Sequence, residues 1–202
     1  MTTTKAISAK DVAALRERTG AGMMDCKKAL DETSGDLDKA VELLRSKGAA
    51  KADKRAGRQT KEGMIGSYIH HNGKIAVLVE INCETDFVAR TEDFQQLGKY
   101  LAEHIAAAAP LAIDKDQVPQ DKVESERRIF TEQVKAEGKP DHMIDKIVEG
   151  KVQAFYKDVA LMHQAWVREP KKTIGDLVKE VSAKTGENVQ VRRFVRYQLG
   201  EA

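Results

Sequence analysis

Apolar residues recur at helical spacing near the N-terminus, switch to alternation, return to helical spacing, and alternate again at the end. Ala9, Val12 and Leu15 form a first stripe behind Ser8. Asp11, three residues after Ser8, completes a capping-box spacing, and Ile7 with Val12 has the spacing of a hydrophobic staple. Gly20 ends this helix, and Met23, Cys26 and Leu30 mark one face of a second. Ser34-Gly35-Asp36 breaks the chain, Asp36 caps a third helix on Leu37, Ala40, Val41 and Leu44, and Gly48 stops it. Three short helices over residues 1–48 make a minimal bundle with a small core. Residues 49–62, rich in Lys, Arg and Ala and without an apolar stripe, read as a basic linker or a fraying helix.

Met64–His71 and Lys74–Cys83 then read as strands. Asn72-Gly73 between them predicts a type I′ hairpin, since both residues tolerate positive φ. Ile75, Val77, Val79, Ile81 and Cys83 share one face, with Ala76 and Leu78 on the other. Phe94, Leu97, Leu101 and Ile105 stripe a helix that ends before Pro110. Two further stripes, Val123 to Val134 and Ile144 to Met162, flank Gly138-Lys139-Pro140 and predict a helical hairpin over about residues 119–163. Thr173 with Asp176 caps a last helix, and Val189, Val191, Val195, Tyr197 and Leu199 alternate in a closing strand. The expected fold is α+β: a helical module, then a core over 63–202 of a small antiparallel sheet with helices on one face.

Of 202 residues, 41% are hydrophobic and 33% charged, enough for a core under a solvated surface. Net charge is only +2, but the first 61 residues carry 14 basic against 9 acidic side chains, which favours an acidic partner or nothing more than a solvated face. No apolar run reaches membrane-spanning length, and Met1–Lys5 lacks the apolar stretch of a signal peptide, so no membrane association and a cytoplasmic location are expected. Two cysteines, Cys26 and Cys83, make no disulfide framework and no CxxC. There is no GxxxxGK[ST] loop, and adjacent His70 and His71 point to opposite faces of a strand, so neither a bound nucleotide, a metal nor any cofactor is expected. Aromatics at 5% supply no stacking platform for RNA. Residue chemistry alone reaches an α+β interaction protein rather than an enzyme.

Two segments say more. Residues 15–30, Leu-Arg-Glu-Arg-Thr-Gly-Ala-Gly-Met-Met-Asp-Cys-Lys-Lys-Ala-Leu, resemble the N-terminal signature of the elongation factor Ts family, and 82–90, Asn-Cys-Glu-Thr-Asp-Phe-Val-Ala-Arg, resemble its second signature, in the same order and spacing. Shorter matches lie at 149–151, 169–175 and 186–189. The resemblance implies a ubiquitin-associated-like N-terminal domain and a core interrupted by a helical-hairpin dimerisation element. It also implies a role in protein biosynthesis as a guanine-nucleotide exchange factor. The partner would be elongation factor Tu, bound with GDP and free of nucleotide, with no direct nucleic-acid contact. The chain has one hairpin-plus-core unit where long family forms have two, and so resembles the short form, which implies a homodimer.

By the same resemblance, Thr85, Asp86, Phe87 and Val88 act at the partner's magnesium and phosphate site, while Arg16, Met23, Met24 and Lys27 touch its nucleotide-binding domain. Ile65, Gly66 and His104 resemble further contact positions. Each has a plainer reading. Phe87 reads equally as an anchor fixing the start of the next helix. Neighbouring Met23 and Met24 cannot share a stripe, so Met23 fits the core face and Met24 the exposed one, while the plainer reading packs both against the first helix. Gly66 reads as a bulge or a point of close backbone approach. Two other classes stand beside the exchange factor: a nucleic-acid adaptor using the basic first third with Arg192, Arg193 and Arg196, and a thiol enzyme using Cys83.

Overall fold

The computed structural model describes residues 7–201. The Met1–Lys5 stretch weighed above lies outside them. The chain divides into two compact units. One joins the residues up to Gly63 with Asn82–Phe94 and Val178–Gln190; the other joins Met64–Ile81, Gln95–Leu177 and the residues from Val191.

The first unit begins with three helices, α1 (Ala9–Thr19), α2 (Met23–Glu32) and α3 (Leu37–Arg55). The α1 capping box forms as its spacing predicts: Asp11 N–H donates to Ser8 Oγ, and Ser8 N–H donates back to the Asp11 carboxylate. Gly20 takes the left-handed conformation at the end of α1, with φ 67°. Asp36 caps α3 by accepting from the Asp38 and Lys39 N–H groups, and these bonds hold its carboxyl below the usual range. Val12, Leu15, Cys26, Ala29, Leu30, Ala40 and Leu44 form the shared core, with Ile7 packed against it. Gly48 does not stop α3, which runs through the supposed linker to Arg55. Its partner explains this. A Cβ at Gly48 would lie 3.0 Å from Ala183 of α8 (Ile174–Thr185), so glycine admits a second helix at close range. Lys179–Asp53 and Arg45–Glu180 ion pairs and an Arg55 bond to the Ser182 carbonyl continue that seam.

The second unit holds a three-stranded antiparallel sheet in the order β1 (Glu62–Ile69), β2 (Ile75–Cys83), β5 (Gln190–Gln198). The β1–β2 turn is not type I′. Only Gly73 has positive φ, at 68°, and the chain closes through Gly73 N–H to the His70 carbonyl, while the Asn72 side chain takes the Lys74 N–H. Asn72 uses its side chain, not its backbone, to satisfy the turn. Bonds from His70 N–H to the Ile75 carbonyl and from Leu199 N–H to the Lys74 carbonyl set the register, with Arg193 and Glu80 cross-strand neighbours. Val77, Val79 and Ile81 are buried on one face. Helix α5 (Glu92–Ala108) lies there, and Gly66 meets its backbone at Gly98.

Helices α6 (Gln120–Ala136) and α7 (Asp141–Val159) pack together around Val123, Val134, Ile144, Val148 and Val152. At their base, Leu111 N–H bonds the Val159 carbonyl, and Leu161 and Met162 N–H groups bond the carbonyls of Ala112 and Ile113. A two-stranded ribbon, β3 (Ala165–Trp166) with β4 (Glu169–Thr173), follows. It is too short for alternation to announce it. Thr173 and Asp176 form the expected capping box at the start of α8. Among the described residues no helix is long and apolar enough to cross a membrane.

Candidate functional site

Residues 85–90 are not a bare loop. Asp86–Ala89 make a one-turn helix, α4, capped by Thr85, whose Oγ accepts from Val88 N–H. A single turn has no intrinsic stability in water, since nucleation costs more than one hydrogen bond returns. It must therefore be held from outside. Val88 is buried beneath it, and Thr91 hydroxyl bonds the Val88 carbonyl at 2.8 Å. The main brace is Glu187: its carboxylate accepts from Glu84 N–H (3.0 Å), Thr85 N–H (3.0 Å) and Thr85 hydroxyl (2.6 Å). Asn188 N–H in turn donates to the Glu84 carboxylate at 2.7 Å, which also pairs with Arg58.

Held in this way, Phe87 projects outward with 79% of its surface exposed. A large apolar side chain on a braced turn offers contact area at little further ordering cost. It is no anchor for the following helix; Phe94, fully buried, fills that role. Asp86 pairs with Arg90 one turn on, at 2.8 Å, and both remain open to solvent.

The same unit presents the second group. Arg16 and Lys27 are exposed. So are both methionines, Met24 at 65% and Met23 at 49%. Met23 was expected on the core face, but it is the first residue of α2, and Ala21 packs against the core there instead. Two adjacent exposed methionines make an adaptable apolar surface.

The remaining three candidates lie in the other unit. Ile65 is exposed on the sheet. Gly66 is buried, and a Cβ there would sit 2.6 Å from the Gly98 carbonyl oxygen, so its close backbone approach is to α5. His104 has no exposed surface at all. Val167 N–H donates to its Nδ1 at 3.4 Å, which leaves Nε2–H to donate to Gln164 Oε1 at 2.9 Å. Burial holds its pKa below the ordinary value, partly opposed by the Gln164 bond. As a direct surface contact His104 is therefore corrected: it orients Gln164 and Val167 from within.

Cys83 is buried, its Sγ–H bonded to the Thr85 carbonyl at 3.1 Å. Desolvation, with the nearby Glu187 charge, raises its pKa to about 11. At neutral pH it is a thiol and a poor nucleophile, so the thiol-enzyme reading loses its reactive group. Glu187 and Asn188 went unseen as functional in the sequence because their partners lie about a hundred residues away. Two signals were available: the short family match at 186–189, and the orphan N–H of a helix N-cap, which needs an acceptor.

A family model described as Elongation factor TS matches residues 3–201. Curated proteins named Elongation factor Ts are similar over nearly full length. That of Fervidobacterium nodosum is 57% identical over 96% of this chain and 99% of the relative. Those of Thermosipho melanesiensis and Nitratidesulfovibrio vulgaris are 54% and 55% identical, each over 96% of this chain and 100% and 98% of the relative. Matched across both signature segments and almost end to end, the chain belongs to the elongation factor Ts family.

Proposed function

We propose that this chain is a non-enzymatic guanine-nucleotide exchange factor for elongation factor Tu, acting during translation elongation in the cytoplasm, and that Asp86 and Phe87 are the acting pair. The observation that carries the reading is Phe87: a wholly outward aromatic on a one-turn helix that is capped, buried at Val88 and braced by Glu187. Phe87 enters a pocket beside the partner's magnesium and phosphates, and Asp86 helps displace the segment holding the metal. Magnesium neutralises phosphate charge, so loosening its site weakens nucleotide retention. Each 1.4 kcal/mol of weakening is about tenfold in affinity. The coupling is reciprocal, so GDP and this factor weaken each other's binding until GTP refills the empty form. Arg16, Met23, Met24 and Lys27, on a ubiquitin-associated-like module, engage the partner's nucleotide-binding domain. Fluorescent GDP release from elongation factor Tu is the test. Phe87→Ala with Asp86→Ala, folded, is expected to lose most of the acceleration; unchanged catalysed release removes α4 from the mechanism.

The exchange factor works as a homodimer. The support is the sheet face opposite α5, where the register aligns Ile65 and Ile69 of β1, Leu78 of β2, and Val195, Tyr197 and Leu199 at and beyond β5, all exposed. Exposed apolar side chains side by side on one face, next to the Glu80–Arg193 pair, mark an interaction surface, and a second copy presents an identical one. Leu78→Glu with Tyr197→Glu is expected to give a monomer by light scattering at micromolar concentration. A wild-type monomer under those conditions refutes the dimer.

A further inference from the structure

Why does a one-turn helix carrying an exposed aromatic keep its shape? The polar atoms beneath it answer. Oε2 of Glu187 takes two backbone N–H groups, those of Glu84 and Thr85, each at 3.0 Å, and Oε1 takes the Thr85 hydroxyl at 2.6 Å. These donors belong to the N-cap residue of α4 and to the residue before it, and helix geometry leaves the N-cap N–H without an internal partner. Glu187 is itself fixed. Gly186 ends α8 in the left-handed conformation with φ 77°, and Ser182 hydroxyl donates to the Glu187 carbonyl at 2.5 Å. Asn188 extends the arrangement: its Nδ2 donates to the carbonyls of Ala56 (3.2 Å) and Arg58 (2.9 Å), past the end of α3. One dipeptide thus bonds both the α4 turn and the chain leaving the three N-terminal helices.

We propose that Glu187, seconded by Asn188, is a positioning residue for exchange: it touches no part of the partner but presents Phe87 and Asp86 in their acting geometry. This rests on the reading of α4 given above. Charged-acceptor bonds are stronger than neutral ones, and three converge on one carboxylate. Without them α4 loses its cap support and samples open conformations, and Phe87 must be ordered during the encounter.

The test uses the full chain and GDP-bound elongation factor Tu. Glu187→Ala is expected to slow catalysed release of fluorescent GDP roughly tenfold. Glu187→Gln rescues most of it, because the amide oxygen accepts the two N–H groups and the amide nitrogen donates to Thr85 Oγ. The Phe87→Ala/Glu187→Ala double variant is expected to be no slower than Phe87→Ala alone, since both act through one side chain. Amide exchange at residues 84–88 rises in Glu187→Ala, while that of α2 stays unchanged. Wild-type release by folded Glu187→Ala, or additive losses in the double variant, overturns the proposal. If Phe87→Ala itself releases GDP at the wild-type rate, the α4 reading falls, and unchanged amide exchange at 84–88 in Glu187→Ala then overturns the positioning role separately. Should Glu187→Ala fail to fold, Glu187→Asp, which keeps the charge but withdraws it by one methylene, carries the same measurements.

Discussion

Gly66→Ala is a demanding test of the packing between the sheet and α5. Its Cβ would lie 2.6 Å from the Gly98 carbonyl oxygen, 2.9 Å from the carbonyl carbon and 3.1 Å from Cα. Ordinary contact begins near 3.4 Å, so the methyl arrives roughly 0.8 Å too close. All three atoms are backbone in the middle of a helix, so no rotamer change relieves them. Overpacking of this kind costs about 1–3 kcal/mol; rigid neighbours on both sides place Gly66→Ala in the upper half of that range. Gly150→Ala is the matched control. Gly150 is exposed within α7 with nothing within 4 Å of its Cβ, so alanine is expected to stabilise by about 0.5–1 kcal/mol through helix propensity. The assay is urea unfolding followed by the single tryptophan, Trp166, which is buried with its ring 5.1 Å from Tyr100 of α5. A Gly66→Ala midpoint within about 0.5 kcal/mol of wild type, at unchanged m-value, refutes the reasoning.

Two further outcomes follow from buried titratable groups. Native Cys83 should resist a thiol reagent at pH 8 and react only on unfolding, because its thiolate forms near pH 11; rapid native labelling of Cys83, mapped by mass spectrometry, contradicts its placement. Buried His104 has a folded pKa below its ordinary 6.5, so the unfolded chain binds its proton first. Its contribution is present above pH 6.5 and lost as pH falls through the folded value. Trp166-detected unfolding should therefore weaken with acidification more steeply in wild type than in His104→Gln, and equal slopes sink the assignment.

Local chemistry was the legible part of the fold. The Ser8–Asp11 and Thr173–Asp176 capping boxes, the Asp36 cap and the buried stripe of α5 depend on neighbours in sequence, and each formed. What failed depended on distant partners. Gly48 looks like a stop by propensity, yet Ala183 makes its missing side chain an asset to packing. Met23 has the right spacing for the core, but a stripe cannot reveal that the first turn overhangs it. His104 resembles a contact position; nothing nearby in sequence announces that Gln164 and Val167 consume both its nitrogens. At the candidate site, the exposure of Phe87 turned on whether Phe94 would anchor α5, and its brace turned on Glu187, which no periodicity could bring to residue 85.

The backbone bonds joining 111–113 to 159–162 have a consequence for how the α6–α7 hairpin can vary. They pin the outgoing and returning chain side by side, so everything beyond is a closed loop whose ends are fixed by the fold rather than by its own length. Closure entropy grows only logarithmically, by about 0.6 kcal/mol for each doubling of loop length. Whole helical turns added to or removed from the far end alter the reach of the hairpin and leave the sheet, α5 and His104 where they are. Length at the tip is thus a nearly free variable, decoupled from the rest of the fold by four backbone hydrogen bonds at its neck.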